Sequence, residues 1–128
     1  YGAKDGGLNT HYALLRDPID QYRSSLCKHT LMNSFKQYEV SGGSIGIWAS
    51  RLWTQEVSAL FLPSDGHETP WDSTPVVGIS LKLGYVFLKP NENQTKWVPY
   101  VPPLVTKPVR REHATLIVHR DSISELKY

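Results

Sequence analysis

From Val77 to Phe87 every second residue is apolar: Val77, Ile79, Leu81, Leu83, Tyr85 and Phe87. Gly78, Ser80, Lys82 and Gly84 hold most of the places between them. A period of two is the spacing of a strand with one face dry and the other largely wet. The run predicts one long strand, its odd-numbered side chains in the core and Gly84 at a bulge or a close backbone approach. A sheet with a dry face needs a layer of helix or sheet over it.

The spacing places that layer at 18–38. Asp17 can cap the first free N–H groups of a helix, and Pro18 has no N–H to lose at the first helical position. Ile19, Tyr22 and Leu26 share one side; Cys27, Leu31, Phe35 and Tyr38 lie about a third of a turn away. Ser41-Gly42-Gly43 stops the run. The remaining pieces read as extended. His11 to Leu15 makes a short strand, Ile45, Ile47 and Ala49 alternate as a second, and Val57 to Leu62 is an apolar run ended by Pro63. Residues 63–75, with three prolines, read as a long loop. Residues 89–96 read as a turn. Pro99 confines 97–101 to a sheet edge, and Pro102, Pro103 and Pro108 bracket a stiff linker. His113 to His119 is the last strand, and 121–128 a helical turn or tail. The expected fold class is α+β, with one N-terminal helix packed on a mainly antiparallel sheet of four to six strands. All 128 residues make one expected domain, with 1–10 as a flexible lead-in.

Charge and cysteine content narrow the function. A net charge of +2 is too small to imply nucleic acid or an anionic membrane by itself. Cys27 is the single cysteine, so no internal disulfide forms, and a reducing, intracellular compartment is expected. No apolar run approaches a membrane span. A first residue of Tyr1 suggests a processed product or an excised domain.

Candidate chemistry is sparse. His113-Ala114-Thr115 on the last strand resembles one half of the two-histidine phosphoesterase signature, in which two His-x-Thr or His-x-Ser motifs face one cleft. His67-Glu68-Thr69 offers the second copy. The resemblance implies histidine acid–base attack on a cyclic phosphodiester, with the hydroxyls holding phosphate oxygens. Pro70 follows the second copy and the expected loop surrounds it, so His67 and His113 are not expected to share a cleft. No metal is expected. His113 and His119 lie about 20 Å apart along a strand, and Asp65, His67, Glu68 and Asp72 match no metal-binding spacing. Cys27 and His29, two apart on a helix, face different ways. Ser41-Gly42-Gly43-Ser44-Ile45-Gly46 is rich in glycine, but in this reading it follows a helix and precedes a strand. That is the reverse of the order that aims a helix N-terminus at phosphate.

A protein-contact surface is expected instead, with a nucleic-acid surface as the alternative. Lys107, Arg110 and Arg111 near Trp97 and Tyr100 suit a single-stranded nucleic acid. Trp97, Tyr100, Val101 and Leu104, stiffened by prolines, suit a protein partner or self-association. No cofactor is implied. With nucleophile, base and stabiliser nowhere brought together, the sequence reads as a non-catalytic structural or assembly domain: a complex subunit or a viral matrix- or capsid-like building block. Asn93-Gln94-Thr95 is a glycosylation acceptor sequence in a turn.

Overall fold

Ala59-Leu60-Phe61-Leu62 has no polar position, and all four residues are buried. Such a strand lies inside a sheet covered on both faces. The computed structural model describes residues 12–15, 25–40, 45–54, 56–62, 67–68, 70–102, 109–110 and 113–127, with the backbone alone for 45–48, 67–68, 70–74 and 109–110. In chain order these form β1 (Tyr12–Leu15), α1 (Ser25–Ser34), β2 (Gln37–Val40), α2 (Ile45–Trp53), β3 (Ala59–Leu62), β4 (His67–Glu68), α3 (Pro70–Lys82), β5 (Tyr85–Pro90), β6 (Trp97–Tyr100), β7 (Val109–Arg110) and β8 (Thr115–His119). A 3-10 helix follows over Arg120–Glu125.

Six strands make one sheet in the order β2-β1-β3-β8-β5-β6, and β4 pairs with β7 separately. β1 runs parallel to both β2 and β3. β8 runs antiparallel to β3 and β5, and β6 antiparallel to β5. The class is thus mixed α and β.

Crossover handedness explains the layers. The step β1-α1-β2 moves one way along the sheet, and β2-α2-β3 and β3-α3-β5 move the other way. Right-handed crossovers in opposite directions put their helices on opposite faces. Burial agrees. Leu26, Cys27 and Leu31 of α1 pack with Ala13, Leu15, Phe61, Leu116 and Val118. Ala49 and Leu52 of α2 and Val76 of α3 pack with Leu14, Leu60, Leu62, Phe87 and Ile117. Single hydrogen bonds lock the layers. The Trp97 indole N–H donates to Thr30 Oγ1 of α1 at 2.7 Å. The Tyr85 hydroxyl donates to the Leu52 carbonyl of α2 at 2.8 Å, and the Trp53 indole N–H to Ser80 Oγ of α3 at 2.9 Å.

Several expectations are corrected. The strongest alternation in the chain is not one strand. Residues 77–82 belong to α3, and only Tyr85 and Phe87 lie on a strand, β5. Val76 and Ser80, four apart, are the buried positions of this helix turn, while Ile79 and Leu81 are 44% and 41% exposed. Leu81, expected in the core, is outside it. Gly84 ends the helix with φ of 89°, a conformation that costs a residue without a side chain little. Pro70 begins α3, at the first helical position where its missing N–H is no loss. The expected loop over 63–75 therefore holds β4 and the start of α3. The expected strand at 45–49 is α2: Ile45, Trp48, Ala49 and Leu52 also fit helical spacing. α1 ends at Ser34, and 37–40 is the strand β2 rather than more helix. Residues 18–24 lie outside the described set. The edge strand carrying Pro99, the turn before it and the strand ending at His119 are found as expected.

Candidate functional site

β1, β2, β3 and β5 all point the same way, because β5 and β3 are both antiparallel to β8. Their carboxyl ends are Leu15, Val40, Leu62 and Pro90. α1 and α2 follow β1 and β2 and so begin at this end. α3 is joined to β5 by the turn at Leu83-Gly84, runs back against it, and begins here too. The connections leaving β1 and β3 depart in opposite directions along the sheet. In α/β sheets ligands bind in the crevice that such a divergence opens, beyond the carboxyl ends of the strands.

The glycine segment changes meaning in this frame. Ser41-Gly42-Gly43-Ser44 links β2 to α2, so it follows a strand and precedes a helix. That is the order that presents backbone N–H groups and the positive end of a helix dipole to an anion. The sequence carried this signal, but misassigning both flanking elements reversed it. The conformation of 41–44 lies outside the described residues.

A second group of polar side chains gathers on the α2–α3 face at the same end. Phe87 pairs with both Tyr100 and Ile117, so Lys89 and Thr115, two positions along, point to that face. The Tyr100 hydroxyl shares a hydrogen bond with Thr115 Oγ1 at 2.9 Å. The His113 ring meets Tyr100 edge-on, centroids 5.0 Å apart. Lys89 Nζ stands 5.6 Å from the Tyr100 ring centroid. The His113 Nδ1–H reaches the Ala114 carbonyl at 3.2 Å, and Nε2 is the other polar atom of the ring. Lys89 is the member that sequence reading missed; only strand register brings it to Tyr100.

The other predicted residues scatter. Trp97 is 7% exposed and packs edge-on to Phe61, so it belongs to the core and not to a surface. Tyr100 is half-buried against the α2–α3 cluster. Val101 is 74% exposed, and Leu104 lies outside the described residues. Arg110 pairs with His67 in the β4–β7 ribbon, whose side chains are not described; Thr69, Lys107 and Arg111 are likewise outside the set. Of the two-histidine motif, His113 and Thr115 thus have described surroundings, and His67 has only its backbone pairing. His119 is at the far end of β8, buried against Tyr85, with Nδ1 accepting from the Asp121 N–H at 3.2 Å. Cys27 is buried, and burial pushes its thiol up to about 12, so it is a structural and not a reactive cysteine. Arg51 of α2 grips Glu39 of β2 with two hydrogen bonds, at 2.6 and 3.2 Å, which hold the Glu39 carboxyl below its usual range. Among the described residues no helix is long and apolar enough to cross a membrane.

No protein family's sequence profile matches the chain, and no curated protein is similar enough in sequence to match. Solved structures do match. The crystal structure of inositol monophosphatase-II from Staphylococcus aureus MSSA476 superposes with a TM-score of 0.58 at 15% identity, covering 97% of this chain and 41% of that one. SaIMPase-II bound to inositol monophosphate matches with 0.59 at 16%, covering 97% and 43%. Its complex with 2′-AMP matches with 0.59 at 16%, covering 97% and 42%. The likeness is one of fold, and the chain spans less than half the length of these enzymes. It nevertheless overturns the expectation of a non-catalytic structural or assembly domain. The architecture matches that of phosphatases, and nothing supports a viral building block.

Proposed function

We propose that this chain supplies the α/β part of a phosphomonoesterase acting on a phosphate ester of a polyol or nucleoside. The observation that carries this is the fold match over 97% of the chain to a phosphatase whose structures hold inositol monophosphate and 2′-AMP. The topology supports it. The helices α2 and α3 begin on one face of the sheet at its carboxyl end, beside the divergence of the β1 and β3 connections. Hydrolysis of a phosphate monoester gathers negative charge on the phosphoryl oxygens, and fixed N–H dipoles at helix starts stabilise such charge without reorganising. The Ser41–Ser44 segment supplies small residues where a phosphate would approach the backbone of α2.

The test is calorimetric titration of the full chain with inositol monophosphate and with 2′-AMP, alongside phosphate-release measurements on both esters. The expected result is saturable binding of at least one ester, competed by inorganic phosphate. Binding is the primary readout because the chain covers only part of the matched enzymes. If neither ester binds at millimolar concentration to chain shown to be folded, the reading is wrong.

A further inference from the structure

Lys89 has no carboxylate partner among the described residues; its ammonium stands over the Tyr100 ring, 5.6 Å from the centroid. A cation over an aromatic face is held by the ring quadrupole and not by an opposite charge. His113 touches the same ring from the side and keeps Nε2 outside its single hydrogen bond. The Tyr100 and Thr115 hydroxyls, already bonded to each other, lie beside both. Register brings Lys89 of β5, Tyr100 of β6 and Thr115 of β8 to one face, and His113, two residues before β8, joins them through its contact with the Tyr100 ring. A lysine ammonium, an imidazole and a bonded pair of hydroxyls thus gather around one ring, and among the described residues no carboxylate pairs with the ammonium.

We propose that Lys89, Tyr100, His113 and Thr115 form an oxyanion subsite at the carboxyl end of β5, which takes a phosphate group. Lys89 supplies the charge. Tyr100 fixes the height of Lys89 and the orientation of His113. His113 Nε2 accepts from a protonated phosphate oxygen, or donates to an unprotonated one when the ring is charged. The subsite is built from side chains of β5, β6, β8 and the residues before β8 and not from the helix starts invoked above, and its test does not require that any ester be hydrolysed.

Inorganic phosphate titrated into the full chain at constant ionic strength, followed by the NMR signals of the His113 and Tyr100 rings, tests this. Saturable shifts of both rings are expected. Lys89→Met keeps the stem and deletes the charge; it should weaken binding at least about tenfold, the loss expected of one charge-assisted contact. Lys36→Met, at an exposed lysine elsewhere, should leave it unchanged. His113→Gln, which can still hydrogen-bond, should weaken it less than Lys89→Met. A parallel arm uses inositol monophosphate as competitor. Displacement of phosphate assigns the subsite to the phosphoryl group of an ester, and failure to displace assigns it to the free anion. The proposal is overturned if the two ring signals stay fixed while phosphate is added to folded chain, or if Lys89→Met binds as tightly as the parent. Ester turnover, read separately, reports on the phosphatase assignment alone.

Discussion

Replacing Trp97 separates a core residue from an interface residue. Its side chain is 7% exposed, packs edge-on against Phe61 at 6.3 Å, and donates its indole N–H to a Thr30 hydroxyl that is fully buried. Trp97→Ala deletes a large apolar volume from the cluster under α1, which costs about 3–5 kcal/mol. It also strands the Thr30 hydroxyl, for about 1–3 kcal/mol more. Domains of this size are stable by only about 5–15 kcal/mol, so the variant should be close to unfolding at ambient temperature. Trp97→Phe isolates the second effect: most of the ring volume stays and only the hydrogen bond goes. Thr30→Val removes the other partner. Each single change leaves one buried polar group unpaired, whereas the double variant leaves none. A double-mutant cycle should therefore give a coupling of about 1 kcal/mol or more, with the double change milder than the sum of the singles. Urea denaturation followed by both fluorescence and circular dichroism supplies the free energies and checks two-state behaviour. A coupling near zero, or a Trp97→Ala variant of ordinary stability that fails only in self-association, would refute this reasoning.

Other sites give further expectations. A Cβ at Gly84 would stand 2.9 Å from His119 Nε2 on a residue with φ of 89°, so Gly84→Ala should destabilise by more than about 1 kcal/mol in thermal or urea melts. Val76→Ala should cost about 1–3 kcal/mol and Leu81→Ala less than about 1 kcal/mol, an order that only a helix over 70–82 produces; equal costs would favour an extended segment. The Glu39 carboxyl titrates below its unfolded value because Arg51 donates to it, so its stabilisation is present above about pH 4.3 and is lost as pH falls through the lower folded value. Glu39→Gln should therefore cost at most about 1 kcal/mol at neutral pH, since the pair is largely exposed, and the gap from the parent should close in acid melts.

What was legible in the sequence depended on how evenly each element is covered. β3 and β8 lie inside the sheet, and their unbroken apolar runs announce them. The turn at 91–96 and the edge position of Pro99 follow from local chemistry, since Asn91 accepts from the Thr95 N–H and proline cannot donate to a ladder. α3 misleads because its buried positions include Ser80, while Ile79 and Leu81 are exposed. Apolar residues on the wrong side and a serine on the right side turn a helical period into an apparent alternation. Gly84 marked a real event, but it ends a helix and does not bulge a strand. Once α2 and α3 are read as extended, the crossovers vanish, and with them the parallel half of the sheet and the end at which its helices open. The site is hidden for that reason: the glycine segment stands out in the sequence, and the strand and helix that flank it do not. Lys89 sits beside Tyr100 and His113 only through pairing across β5, β6 and β8, and no local pattern reports that pairing.

The place of β8 in the sheet bears on how the chain reaches its native state. Thr115–His119 inserts between β3 and β5, so the strand at the middle of the sheet comes later in the chain than both of its neighbours. During synthesis, β1 to β3 with their helices can assemble as one piece, and β5 with β6 as a hairpin. Neither has its inner edge covered until residue 119 has emerged. The pairing of Leu60 with Ile117 must close a loop of more than fifty residues, a long-range contact of the kind that slows folding. Until then the inner edges of β3 and β5 stand open side by side, each a template for a strand from another molecule. Truncation before Thr115 should leave a chain that aggregates through those two edges, and a peptide spanning 113–127 added in trans should compete with that aggregation.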